Sequence, residues 1–323
     1  MLPNRKTAIQ KTNDQAASSK LYAASKGYYT DPFIKFFSHT KRSTTPEMNI
    51  GYYIRVETFR SFVLNFISMN PKAQIINLGA GFDTLSFKFD FYKVFPYKYI
   101  EIDLPENVVE KISIIKKNPE LRTNLPQNDI LLSDVHENLQ YHSQDFYHLI
   151  AFDLCDNMSK LFKMLEDLKF NFENPTLILA ECVFVYIEKE VVDKVLTDFR
   201  EKFNSLFLLN YEQINMNDKF GQVMIENFNS QGCNLQGLNS CNNSAEDQIK
   251  RYKELGFRTT FCWTINQLMS FLTEQCRNRI LMIEMVDEPE LMKQLFDHYS
   301  IILTATSELD RQIILDSLKR YCV

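Results

Sequence analysis

The sequence predicts an α/β fold: a mostly parallel sheet wrapped by helices on both sides, preceded by helices and carrying an inserted helical lid. Three observations predict it. A short apolar run, Gln74–Leu78, leads straight into Gly79-Ala80-Gly81, in a chain that has only 8 glycines in 323 residues. Short apolar runs then alternate with amphipathic stretches as far as about residue 210. Three of those runs end in an acid: Asp103, Asp153 and Glu181.

Residues 1–20 are polar and rich in Ala, Ser and Lys, and read as partly disordered. Helices are expected over 20–70. Asp31-Pro32 has the form of a helix start, Asp as N-cap and Pro at the first helical position. Residues 38–49, with Pro46, read as a loop. From Gly51 to Met69 apolar residues fall at helical spacing, and Asn70-Pro71 stops the run.

Five strands follow, at Gln74–Leu78, Lys98–Ile102, Tyr147–Phe152, Thr176–Ala180 and Leu206–Asn210. Helices lie between them at Glu106–Lys117, Ser159–Leu168 and Lys189–Phe203. Residues 118–145 read as irregular, with a short apolar piece at Ile130–Leu132. Residues 212–278 read as a lid, with helical pieces at Phe220–Phe228, Glu246–Leu255 and Ile265–Thr273 but little strand signal. The sheet is expected to resume at Arg279–Val286 and, after a helix over Glu290–Tyr299, to finish at Ser300–Thr306, making seven strands. Ser307–Tyr321 reads as a short amphipathic helix.

The bulk numbers narrow the function. A chain of 323 residues, 45% hydrophobic and 24% charged, forms one elaborated globular unit, 1–323. A net charge of −5 argues against general nucleic-acid binding. No run of about 18 apolar residues is present for a membrane span, and the N-terminus lacks the apolar core of a secretory signal. The 7 cysteines are scattered, with no Cys-x-x-Cys and no His cluster, so no metal is expected and free thiols in the cytoplasm are. The 5 His, at 39, 136, 142, 148 and 298, lie away from the motifs and read as surface or loop residues.

Chemistry centres on the glycine turn. Without Cβ atoms the backbone bends sharply and lets a ligand approach closely, and ligands of such sheets bind beyond the carboxyl ends of the strands. Asp103 follows Gly81 by 22 residues, the place of a ribose-binding acid. Asp153 could accept from the amine of adenine, and Glu181 closes the strand where cofactor and substrate should meet. Taken singly, each acid serves equally as a cap for the following helix; three in register beside Gly-x-Gly favour a ligand. A dinucleotide fingerprint needs a third glycine where Thr84 stands. Its absence suits S-adenosylmethionine, which has no pyrophosphate but carries an amino-acid carboxylate that Arg55, just before the first strand, could pair with.

Longer strings carry a family resemblance. They include Gly51-Tyr52-Tyr53-Ile54-Arg55-Val56, Ile76-Asn77-Leu78-Gly79-Ala80-Gly81-Phe82-Asp83-Thr84 and Tyr99-Ile100-Glu101-Ile102-Asp103-Leu104-Pro105. Ala180-Glu181-Cys182-Val183-Phe184-Val185-Tyr186, Asn210-Tyr211-Glu212-Gln213-Ile214-Asn215 and, most specific, Asp218-Lys219-Phe220-Gly221-Gln222-Val223-Met224-Ile225-Glu226-Asn227 continue it. In order over roughly residues 20–306, these resemble the leucine carboxyl methyltransferases. The resemblance implies a class I, Rossmann-like, S-adenosylmethionine-dependent methyltransferase with a helical lid. It implies methylation of the C-terminal leucine carboxylate of the protein phosphatase 2A catalytic subunit, which regulates holoenzyme assembly, by an enzyme expected to be monomeric.

Carried over by position, Lys20 and Arg55 would hold the cofactor's carboxylate, Gly79 and Gly81 its turn, Asp103 its ribose, Asp153 with Leu154 its adenine and Glu181 its amino group. Tyr186 and Tyr211, with Arg55, fall where the family lines the methyl-transfer pocket. Leu21 and Cys155 depart from the family pattern, each standing where a basic residue is expected. Two alternatives remain: a relative that methylates another carboxylate or tRNA, and an inactive phosphatase-binding protein. The tRNA-modifying relatives carry a large C-terminal repeat domain beyond the point where this sequence ends, which counts against the first.

Overall fold

The structure is a computed structural model that describes residues 5–39, 42–123, 140–143, 146–238, 243–309 and 314. The expected pieces at Ile130–Leu132 and over most of Ser307–Tyr321 lie outside the described residues.

Helices α1 (Arg5–Ser25), α2 (Ile34–Phe37) and α3 (Pro46–Met69) come first. Over residues 5–20 the partly disordered reading is corrected by α1; residues 1–4 lie outside the described residues. That stretch has almost no large apolar residues, but its small ones pack closely: Ala17, Ser18, Ser19 and Ala23 are buried. Helix α3 starts five residues before the expected Gly51, at Pro46. The Thr45 hydroxyl accepts from the amide of Met48, and Pro46 occupies the first turn, where its missing N–H costs nothing. Asp31 Oδ1 accepts the amides of Phe33 and Ile34, each at 3.1 Å, but the expected helix start is displaced: α2 begins at Ile34 with Phe33 as its N-cap, so Pro32 lies before the helix and not at its first position.

The sheet comes next. Its elements are β1 (Gln74–Leu78), α4 (Leu85–Tyr92), β2 (Lys98–Asp103), α5 (Pro105–Lys117), α6 (Pro119–Thr123), β3 (Gln140–Ser143) and β4 (Tyr147–Ala151). Then come α7 (Met158–Asp167), β5 (Thr176–Glu181), the 3-10 turn Phe184–Tyr186, α8 (Lys189–Lys202) and β6 (Leu206–Gln213). The chain closes with α9 (Lys219–Ser230), α10 (Ala245–Glu254), β7 (Thr259–Thr264), α11 (Ile265–Phe271), α12 (Glu274–Leu281), α13 (Pro289–Asp297) and β8 (Tyr299–Ala305).

The strand order is β3-β4-β2-β1-β5-β6-β8-β7. β4, β2, β1, β5 and β6 run parallel, while β8 is antiparallel to β6, β7 to β8, and β3 to β4. The α/β fold class read from the sequence is the one observed, with eight strands in place of seven. Three expectations fail. Residues 118–145, read as irregular, contain α6 and the edge strand β3, which is the eighth strand. Arg279–Val286 is no strand: Thr273 caps α12 by accepting the amide of Cys276, and Cys276 and Ile280, four apart, are the buried pair of that helix. The missing strand lies inside the region 212–278 read as lid. It is β7, Thr-Thr-Phe-Cys-Trp-Thr, a run of β-branched and aromatic residues that carried the signal.

Side-chain alternation gives the sheet two cores. Ile75, Tyr99, Tyr147, Leu177 and Leu209 face α1, α3, α4 and α5. Ile76, Ile100, Ile150, Ile178 and Leu208 face α7, α8 and α10. Two of the histidines read as surface or loop residues are buried instead: His148 on β4, and His298, whose Nε2 lies 2.9 Å from Asp218, the cap of α9.

Candidate active site

The register lines up the carboxyl ends of the parallel strands. Leu78 pairs with Ile102 and with Ala180, Asp103 with Ala151, and Glu181 with Tyr211. The residues just past these ends therefore share one edge, where the order reverses between β1 and β5. A cavity of about 520 Å³ opens there. Every site residue expected from the sequence lines it: Lys20, Arg55, Gly79, Gly81, Asp103, Asp153, Leu154, Glu181, Tyr186 and Tyr211.

The glycine turn needs its glycines. Gly79 has φ +56° and Gly81 φ +44°, in the left-handed region that side chains avoid. A Cβ on Gly79 would lie 2.6 Å from Cγ2 of Val183. The turn is held from both sides. Above it, Asn13 of α1 accepts the Phe82 amide at 2.9 Å. Below it, Lys111 donates to the Asp83 carbonyl at 2.8 Å and to Glu101 at 2.6 Å, with both charged side chains fully buried. Tyr147 and Ser86 complete the shell of Glu101.

Asp103 gathers donors from three places. Its Oδ2 accepts the Gly81 amide at 2.5 Å, and its Oδ1 accepts from the Leu104 amide and from Asn107 Nδ2 at 2.7 and 2.8 Å. Burial raises its pKa, while the Gly81 and Leu104 amides, Asn107 and Lys111 hold it down. A carboxylate offers about four acceptor positions, so one remains, on Oδ2. Because Asn107 must present its Nδ2 to the carboxylate, its Oδ1 is left as an acceptor, buried and without a partner among the described residues. Asn107 also lines the cavity. Sequence reasoning missed it; its signal was its place four residues after Asp103, in the first turn of α5.

Deeper in, Glu181 Oε2 accepts from Arg55 Nε at 2.5 Å and from Lys20 Nζ at 3.4 Å. Burial alone would raise the Glu181 carboxyl; the charges of Lys20 and Arg55 bring it down to about 2. The Arg55 guanidinium lies 4.5 Å from the centre of the Tyr211 ring, which stacks on Tyr299 at 5.4 Å. Beyond this cluster the cavity becomes apolar, lined by Met48, Ile265, Leu295 and Phe296. Gln213 stands among them, its amide bonded to Tyr299 and its Oε1 buried without a partner among the described residues. Asp153 and Leu154 stand at the β4 end, beside the exposed Cys155.

The family model for leucine carboxyl methyltransferase matches residues 8–200. The chain belongs to the leucine carboxyl methyltransferase family. It is 35% identical over 298 residues to leucine carboxyl methyltransferase 1 of Rattus norvegicus, covering 91% of this chain and 88% of that one. It is 28% identical to tRNA wybutosine-synthesizing protein 4 of the same organism, covering 94% of this chain and 45% of that protein. Among solved structures it resembles a DUF574 family protein from Streptomyces avermitilis, with a TM-score of 0.52 at 10% identity over 81% of this chain and 86% of that one, a likeness of fold. As a member of this family, the protein is an S-adenosylmethionine-dependent methyltransferase with an α/β fold. Among the described residues no His, Cys, Asp or Glu group is placed to hold a metal ion, and no helix is long and apolar enough to cross a membrane.

Proposed function

We propose that the protein transfers a methyl group from S-adenosylmethionine to the α-carboxylate of the C-terminal leucine of the protein phosphatase 2A catalytic subunit, in the cytoplasm. The observation that carries this reading is the cluster of Lys20, Arg55 and Glu181 on one shared cavity with Asp103 and Asn107. Two cations and one carboxylate complement a zwitterionic amino acid: the carboxylate of the ligand goes to Arg55 and Lys20, and its ammonium to Glu181. Asp103 Oδ2 and Asn107 Oδ1 offer two acceptors for a ribose diol. Gly79 and Gly81 keep the floor between them free of side chains. The residues present therefore fit the cofactor, with adenine toward Asp153 and Leu154.

When bound, S-adenosylmethionine supplies an electrophilic methyl group on a cationic sulfur. The chain's own residues then exclude water and orient the acceptor. A terminal carboxyl, with a pKa of about 3.5, is already ionised, so no residue need take its proton. Tyr186 and Tyr211 wall the transfer region, and burial raises the pKa of both phenols, keeping them neutral hydroxyls. Their rings exclude water from the attacking oxygen, and orientation supplies much of the rate. The apolar end of the cavity, at Met48, Ile265, Leu295 and Phe296, suits a leucine side chain, and Gln213 Oε1 suits the peptide N–H beside it.

Labelled S-adenosylmethionine incubated with this protein and the phosphatase 2A core enzyme tests the reading. Label should enter the catalytic subunit and be lost when its terminal leucine is deleted. Label that persists on the truncated subunit, or that enters tRNA instead, refutes it.

A further inference from the structure

Between β5 and the 3-10 turn the chain makes a sharp and strained bend. Cys182 has φ +54°, a left-handed conformation that a residue with a Cβ adopts at a cost. The bend sets the course of two residues that reach the site. Val183 packs against Gly79 so closely that a Cβ there would collide with it, and Tyr186 lines the cavity at the other end of the turn. One group holds the bend from behind. Glu212 on β6 is buried, with its side chain on the sheet face opposite Tyr211 and Gln213. Its Oε1 accepts the amides of Phe184 and Val185 at 3.0 and 3.2 Å, and the Val183 amide is directed at the same carboxylate.

We propose that Glu212 is a positioning residue for the methyl-transfer site, its carboxylate setting where Val183 and Tyr186 stand by gathering the amides of the turn between them. The ionised carboxylate does this best, because charge strengthens each N–H···O bond. Arg251 of α10 is the charged group facing it, and Arg251 is itself paired with Asp193 at 2.7 Å. Tyr252 of α10 and Cys182 of the bend also face it, both with pKa values raised by burial. From β8, Ser300 donates to the Glu212 main-chain carbonyl at 3.3 Å, and Cys262 of β7 reaches Ser300, its own pKa pushed up to about 12. Burial raises Glu212 to about 7, the bonds from the turn amides and the Arg251 charge opposing it.

The proposal rests on the methyl-transfer reading, and the test separates the two. Affinity for S-adenosylhomocysteine is measured by calorimetry from about pH 5.5 to 8.5, with kcat/KM for the acceptor protein over the same range. Both should fall below an inflection near pH 7 in the wild type. Glu212→Gln keeps the shape and one acceptor oxygen but does not titrate, and both profiles should flatten. An inflection that persists in Glu212→Gln, or is absent from the wild type, overturns the proposal. Should Glu212→Gln fail to fold, the wild-type profiles still decide, and Glu212→Asp, too short to reach the turn, should bind about tenfold more weakly above pH 7, with the gap narrowing below it. An affinity inflection removed by Glu212→Gln without methyl transfer by either protein supports Glu212 and overturns the substrate reading.

Discussion

Arg55 donates from Nε to Glu181 Oε2 at 2.5 Å, joining the last helix before the sheet to the end of its fifth strand. Both groups are largely shielded from water, with 11% and 15% of their side-chain surfaces exposed. An ion pair this enclosed is costly to break from one side.

Arg55→Ala should weaken cofactor binding by about 1.5–3 kcal/mol, the worth of a charged hydrogen bond. Calorimetry with S-adenosylhomocysteine measures it directly. An unchanged affinity assigns Arg55 to holding Glu181 alone.

Glu181 makes stability depend on acid. Its folded pKa, about 2, lies below the ordinary 4.5. The unfolded chain therefore takes up the proton first as pH falls. The stabilisation is fully present above about pH 4.5 and is lost as pH drops toward 2, on the order of 3 kcal/mol in all. Glu181→Gln leaves Lys20 and Arg55 facing each other. Thermal unfolding should show it less stable than the wild type at pH 6, with the gap closing toward pH 2.

Lys111→Met strands the Glu101 carboxylate, which is 0% exposed. It should cost about 3–5 kcal/mol. Removing both charges, with Lys111→Met and Glu101→Gln together, should recover most of the melting temperature. It should not recover cofactor affinity, because the Asp83 carbonyl that anchors the glycine turn still lacks its donor. Recovery of both would show that the pair serves stability only.

Asn107→Leu removes the unpartnered Oδ1 beside Asp103. S-adenosylhomocysteine should bind about 1–3 kcal/mol more weakly. An analogue whose ribose lacks the hydroxyl that Asn107 accepts should bind wild type and variant alike, so the two changes are coupled. Independent, additive losses would mean that Asn107 acts only by orienting Asp103.

The sequence by itself determined the parallel sheet and the edge on which the site lies. Apolar runs of strand length, two glycines without room for a Cβ and acids at the ends of three strands are local signals, and Asp103, Asp153 and Glu181 stood where those signals placed them. What only the tertiary structure decided are matters of long-range contact. Helix α1 has too few large apolar residues to announce itself, yet Asn13 reaches 69 residues along the chain to the Phe82 amide. Strand β7 had a local signal in its β-branched and aromatic residues, but its antiparallel place at the sheet edge was decided only by its pairing with β8. Glu101 and Lys111 look like surface charges in sequence and are buried only because they neutralise each other. The orphaned oxygens of Asn107 and Gln213 are likewise invisible in sequence, since an unpaired acceptor exists only once every neighbour has taken its place.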